Sequence, residues 1–256
     1  MQISIRSTFL PTLLVALSAW LPAAAHAQDA APDADAKPPW KLEVGFSYVA
    51  TSGNSDTSSG GLTAAYTRDW QEWSLEAGAN ALRAEDQGET TAERYGASLR
   101  GARDLTERLS LTAGVQVEQD RFSGIDLRSI LDLGVKRVWV DGDHYSFSSL
   151  AALTWTREEL DGIDGADESF GALLRSDGKW VLSENAEAVA KAIYYPNFDN
   201  GDDYRLEGEV GVQANLNSRW ALKAGYQVRY DNQPVPGFER TDTTTTASLV
   251  LKLPGS

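Results

Sequence analysis

Residues 40–253 alternate apolar and polar side chains with a period of two. In the first stretch Trp40, Leu42, Val44, Phe46 and Tyr48 share one face, and Lys41, Glu43, Gly45 and Ser47 share the other. Further on, Leu109, Leu111, Ala113, Val115 and Val117 oppose Ser110, Thr112, Gly114, Gln116 and Glu118. Stretches beginning at Arg205 and Trp220 repeat the pattern. A repeat of 3.6 residues would mix these sets, whereas a strand, whose side chains point alternately to opposite faces, separates them. The alternation predicts about twelve strands, near 40–50, 59–70, 73–84, 92–104, 108–120, 127–140, 144–156, 168–182, 186–195, 203–215, 219–230 and 241–253.

The connections divide into two kinds. Gln71-Glu72, Thr106-Glu107, Asp141-Gly142-Asp143, Ser183-Glu184-Asn185 and Asn217-Ser218 read as tight turns. Residues 51–58, 85–91, 121–126, 157–167, 196–202 and 231–240 read as longer loops rich in Gly, Asp and Asn. Short and long connections take turns along the chain, as in outer-membrane barrels, which keep tight turns in the periplasm and long loops outside. Tryptophan sorts the same way. Trp40, Trp70, Trp73, Trp139, Trp180 and Trp220 lie at the tight-turn side, and Trp155 lies near a long loop with Tyr48, Phe170, Tyr194, Tyr204 and Tyr230. Rings with an apolar body and a polar edge favour a membrane–water boundary.

Volume decides which face is inside. About eight strands enclose an interior that side chains can fill, and more leave a wider bore. Faces as small as Ala77, Ala79 and Ala81, or Ala188, Ala190 and Ala192, could not fill a twelve-stranded barrel, but turned toward lipid they need fill nothing. The expectation is therefore an all-β fold, a transmembrane up-and-down antiparallel β-barrel over residues 40–253. Its lumen would be lined by Glu76, Arg94, Arg100, Glu118, Arg128 and Asp132, together with Lys136, Glu207, Glu209, Lys223 and Arg229.

The N-terminus reads as a secretory signal over residues 1–27: Arg6, an apolar stretch over 10–21, and the small-x-small site Ala25-His26-Ala27. Residues 28–39 have too little apolar content to pack and read as a flexible periplasmic arm. These features predict export through the periplasm to the bacterial outer membrane, with outer-membrane lipid, lipopolysaccharide and the assembly machinery as partners. The formal net charge of -14 argues against nucleic acid. There is no cysteine, which excludes disulfides, thiolate metal sites and cysteine nucleophiles.

Catalytic chemistry finds little support. Of two histidines, His26 leaves with the signal and His144 adjoins a tight turn with no serine partner, so no enzyme is expected. Asp161, Asp164 and Asp167, and Asp199, Asp202 and Asp203, concentrate carboxylates in outer loops that suit calcium or magnesium, although neither run matches the twelve-residue calcium loop. A solvated acidic loop is the plainer reading, and no other cofactor is expected.

The lumen charges leave two readings: a narrow water-filled channel for ions or small solutes, or charges paired across the bore that plug it. The channel is the expectation. A closed structural barrel whose outer loops bind lipopolysaccharide or partners is one alternative, and a calcium-dependent lipid-modifying enzyme is another.

Three runs resemble a known family. Residues 45–57 (Gly-Phe-Ser-Tyr-Val-Ala-Thr-Ser-Gly-Asn-Ser-Asp-Thr), Arg121-Phe122-Ser123-Gly124, and Pro236-Gly237-Phe238-Glu239-Arg240-Thr241-Asp242 with the threonines that follow resemble the salt-stress-induced outer-membrane protein family, the YdiY-like proteins of Gram-negative bacteria. That resemblance implies an outer-membrane barrel linked to salt or osmotic stress, and no site residues. The last strand departs from the usual terminal aromatic residue, ending at Leu253. The purified chain is expected to require detergent and to migrate differently in SDS gels before and after boiling; identical migration would remove the barrel.

Overall fold

The structure is a computed structural model that describes residues 40–52, 57–86 and 89–254. The signal segment 1–27, the arm 28–39 and the loop 53–56 lie outside the described residues. Twelve strands follow one another: β1 (Trp40–Ser52), β2 (Thr57–Trp70), β3 (Trp73–Asp86), β4 (Glu89–Thr106), β5 (Leu109–Asp120), β6 (Ile125–Asp141), β7 (Tyr145–Leu160), β8 (Asp167–Ser183), β9 (Ala186–Pro196), β10 (Tyr204–Asn215), β11 (Trp220–Asp231) and β12 (Thr241–Pro254). Each pairs antiparallel with its sequence neighbours, and β1 pairs with β12 from Lys41↔Pro254 to Ser52↔Thr243, closing the barrel. Closure leaves no strand edge, the condition a sheet must meet to satisfy its backbone groups in hydrocarbon.

The strands run further than their composition suggests at the long-loop end. β7 continues to Leu160 and β6 starts at Ile125, so the expected loops 157–167 and 121–126 shrink to 161–166 and 121–124. β3 reaches Asp86 and β4 starts at Glu89, well inside the expected loop 85–91. Gly, Asp and Glu mimic a loop there, but the ladder absorbs them through register shifts at Ala84/Glu85, Glu118/Asp120 and Ile125/Leu127. The contrast between short and long connections is correspondingly weaker than the sequence implies. β4 has 18 residues where about 9–11 span a bilayer, so it overhangs the hydrocarbon. At the opposite end, the two-residue turn between Trp70 and Trp73 holds Gln71 at φ 49°, the left-handed conformation such hairpins demand.

The exterior is apolar. Leu153 is 69% exposed, Leu133 60% and Phe46 55%, each in the outward phase of its strand. Burying such residues in water-free surroundings is what a lipid-facing wall does. At the tight-turn rim the guanidinium groups of Arg68, Arg103 and Arg137 lie 5.5, 5.6 and 4.4 Å from the ring centres of Trp70, Trp73 and Trp139. At the other rim Tyr204 lies 6.0 Å, centroid to centroid, from both Tyr194 and Tyr230. These are the two aromatic girdles of a membrane barrel.

The interior is not purely ionic. Ile130, Leu150, Ala152, Leu173 and Tyr195 form a buried cluster, with Ile193 packed against it, on β6–β9. These residues occupy the polar phase of their strands: Ile130 sits between inward-facing Arg128 and Asp132. The apolar wedge thickens one side of the barrel. Leu153→Arg, near the middle of β7, should lower stability by about 2–4 kcal/mol in denaturant titration of the folded barrel in bilayers.

Candidate functional site

Period-two alternation sends every second side chain of each strand into the bore, and the charged ones assemble into a belt near the long-loop end. Register alone brings neighbours together: Arg94 opposes Asp120, Glu118 opposes Arg128, and Arg128 opposes Glu158. Arg94 Nε donates to Asp120 Oδ2 at 2.7 Å, and Arg128 Nη1 donates to Glu118 Oε1 at 2.7 Å. Arg128 Nε and Arg205 Nη1 both donate to Glu158 Oε1. Arg229 closes the chain: its guanidinium bonds Asp120 Oδ2, reaches Glu118 Oε2 at 3.2 Å, and lies 3.7 Å from Glu207 Oε1.

Arg229 belongs to β11 and its partners Asp120 and Glu118 to β5. In a ring of twelve strands these are opposite one another. The contact therefore crosses the bore instead of following its wall. Four arginines (94, 128, 205, 229) meet four carboxylates (Glu118, Asp120, Glu158, Glu207). The side chain of Asp120 is 0% exposed and that of Arg128 5%. Charges so buried persist only when each is neutralised and hydrogen-bonded.

A turn sits over this belt. In Arg121-Phe122-Ser123-Gly124, the buried Phe122 has its N–H bonded to Asp120 Oδ1 at 3.0 Å and its ring 5.2 Å from the Arg94 guanidinium. Ser123 Oγ donates to Asp242 Oδ2 of β12 at 3.3 Å. Gly124 takes φ 71°, and a Cβ there would stand 2.5 Å from the Phe238 ring, so only glycine fits both the backbone and the contact. Two of the runs that carry the family resemblance, 121–124 and 236–242, thus meet over the mouth. The third includes residues 53–56, outside the described residues.

Deeper in, Arg100 grips Asp132 with two bonds of 2.6 and 2.8 Å. Lys136 lies 3.4 Å from Glu76, Arg175 2.8 Å from Asp177, and Glu209 is flanked by Lys223 at 3.2 Å and Lys191 at 3.5 Å. Two cavities share Lys191, Glu209 and Lys223. One, of about 520 Å³, reaches up to Arg94, Glu118 and Arg229, and the other, of about 420 Å³, extends toward Lys179 and Asp141 at the tight-turn end.

The eleven lumen residues expected from the sequence take part in four groups of ion pairs: the belt, Arg100 with Asp132, Lys136 with Glu76, and Glu209 with its lysines. Asp120, Glu158 and Arg205 were not among them. Asp120 adjoins, and Glu158 falls within, a stretch whose composition imitates a loop, yet each keeps the inward parity of its strand, which is the signal that identifies them. Arg205, packed 5.2 Å from the Tyr195 ring, shares the parity of Glu207 and Glu209.

Among the described residues, the six aspartates that suit calcium or magnesium included, no three acidic or histidine side chains group closely enough to hold a metal ion. Asp199 instead accepts from the Phe170 N–H at 2.7 Å and Asp203 from Asn197 Nδ2 at 2.7 Å, bonds that shape the 197–203 connection. Asp161, Asp164 and Asp167 lie exposed along the 161–166 connection and the start of β8. His144 stands exposed in its turn, with its carbonyl accepting from the Val181 N–H at 2.7 Å.

Comparison with known proteins adds three findings. A family described as a protein of unknown function, DUF481, matches residues 44–253. The chain is 28% identical over 222 residues, 84% of each sequence, to the uncharacterized protein YdiY of Escherichia coli (strain K12). Among solved structures it is similar to the NanC porin (TM-score 0.58, 11% identity, 82% of this chain and 100% of that one) and to the translocator domain of the autotransporter NalP from Neisseria meningitidis (TM-score 0.51, 11% identity, 86% and 90%). At such identities the likeness is one of fold.

Arg128→Met takes one of two guanidinium partners from both Glu118 and Glu158, leaving them Arg229 and Arg205, and leaves the buried belt one positive charge short. It should cost about 3–5 kcal/mol of unfolding free energy in the refolded barrel, whereas substitution of the exposed Arg103, whose pair with Glu72 spans 3.7 Å at the rim, should cost at most about 1 kcal/mol.

Proposed function

The chain belongs to DUF481, a family of proteins of unknown function, and from that premise we propose that it is a narrow outer-membrane channel for ions or small solutes. The observation that carries this reading is the span of Arg229 from β11 to Asp120 and Glu118 on β5. It divides a bore that twelve strands would otherwise hold wide, yet leaves a cavity of about 520 Å³ beside it. Four arginines against four carboxylates give the belt no net charge, so it narrows the passage without strongly favouring either sign of ion.

The porin-like fold and the lipid-facing exterior support placement in the outer membrane, with the tight turns in the periplasm and the belt toward the outside. Lipid, lipopolysaccharide and the insertion machinery are the partners this location brings. A role under salt or osmotic stress rests on the family resemblance alone. The completeness of ion pairing in the belt favours a second reading, a closed structural barrel whose outer loops are its working surface. A catalytic role has no such support.

Planar-bilayer recording separates the two. The wild-type barrel should show small, resolvable single-channel steps, and Arg229→Ala should enlarge them by roughly twofold or more by removing the bridge. Silence from both proteins, with insertion verified, would leave the structural barrel.

A further inference from the structure

The bore is eccentric. Its β6–β9 side is filled by the apolar wedge of Ile130, Leu150, Leu173 and Tyr195. The opposite side, formed by β11, β12 and β1–β4, is cleared by glycines. A Cβ on Gly45 would stand 2.6 Å from Thr63 Oγ1, one on Gly78 2.9 Å from Ser98 Oγ, one on Gly96 2.5 Å from Asn80 Oδ1, and one on Gly225 3.0 Å from Thr246 Oγ1. Each polar side chain thus lies flat in the space its neighbour's missing side chain leaves. Any larger residue at these glycines would lever a hydroxyl or amide off the wall and into the bore. The wall that results is smooth and rich in hydroxyls, and with Ser47 and Ser248 it lines the cavity of about 520 Å³. That volume falls within the range of about 300–1,000 Å³ usual for small-molecule sites.

Charge separates this wall from the rest of the lumen. Glu43 marks its tight-turn margin and Arg94 of β4 and Lys223 and Arg229 of β11 flank it; between them the residues of β12, β1 and β2 that line the cavity, with Asn80 of β3 and Ser98 of β4, carry no formal charge. The charged groups that flank or face it are engaged with one another: Lys191 and Lys223 with Glu209, Arg94 with Asp120, Arg229 with Glu118 and Asp120. An ion moving along the wall would trade hydration for dipoles, an exchange that does not recover the free energy of desolvating a charge. A solute bearing many hydroxyls trades its water bonds for like bonds to Thr63, Asn80, Ser98 and Thr246, which is close to an even exchange.

We propose that this glycine-cleared wall is the solute path and binding surface of the barrel, and that it takes uncharged polyhydroxylated solutes of monosaccharide size. The inference rests on the channel reading above and sharpens it. Three probes of nearly equal size and different charge test it: glucose, gluconate and glucosamine, followed as efflux from proteoliposomes containing the full chain. Glucose should leave about tenfold faster than either ion, the factor that about 1.4 kcal/mol of unmatched desolvation would give.

Because the chain contains no cysteine, Thr63→Cys supplies a single thiol that can be modified after folding. A bulky uncharged methanethiosulfonate at that position should cut glucose efflux several-fold, and the same treatment of Thr156→Cys, on the filled side, should leave it unchanged. Equal or faster passage of either ion, or an unaltered rate after labelling at position 63, would overturn this inference and leave the channel standing. Failure of all three probes to leave would overturn the channel reading and this inference with it.

Discussion

The hydrogen-bonded seam between β1 and β12 is the constraint on which the rest depends. In hydrocarbon an unpaired N–H or C=O has no water to turn to, and a strand edge would present a whole row of them. The pairing from Lys41↔Pro254 to Ser52↔Thr243 removes that edge and, in doing so, fixes the ring at twelve strands. Strand number in turn sets the bore, and a twelve-strand bore is too wide for ordinary side chains to fill from one wall. Everything inside the barrel is a response to that surplus width.

The response differs from one side to the other. On β6–β9 the chain uses Ile130, Leu150, Leu173 and Tyr195 as a wedge. Above the wedge, Arg128, Arg205 and Glu158 build outward from the wall until Arg229 can meet Asp120 from the far side. On β12 and β1–β4, glycine lets polar side chains retreat. Charge compensation makes the first arrangement tolerable: each guanidinium in the belt touches at least one carboxylate, and Glu118, Asp120 and Glu158 each touch two guanidinium groups. The pairs are thus cross-braces, and their value lies in the span they cover as much as in their attraction.

Much of the fold was legible because a period of two survives any tertiary context. The phase of Leu42, Val44 and Phe46 against Glu43, Gly45 and Ser47 assigns outside and inside without knowledge of neighbours, and strand number follows by counting. The bore was legible only as an inventory. Glu118 and Arg229 could be placed on the inner face, but their meeting depends on the register of strands more than a hundred residues apart in the chain, which no local pattern encodes. The wedge was hidden for a different reason: Ile130, Leu150 and Leu173 violate the polar phase singly, and a single violation looks like noise. Glu158 was lost to composition, because the Glu and Asp residues around it resemble a loop while the backbone continues the ladder. In the acidic connections, where a solvated loop was the plainer reading, Asp199 and Asp203 accept bonds from the Phe170 N–H and Asn197 that no local pattern announces.

The belt is not centred along the barrel axis. Asp120 is the last residue of β5, Glu158 stands two before the end of β7, and Arg229 two before the end of β11. With strands such as β4 longer than a bilayer requires, the bridged section sits toward the long-loop end, with the cavity of about 520 Å³ beside it and that of about 420 Å³ toward the tight turns. In the proposed channel, a solute arriving from the long-loop end would meet the belt at once, and one from the tight-turn end only after crossing the lumen.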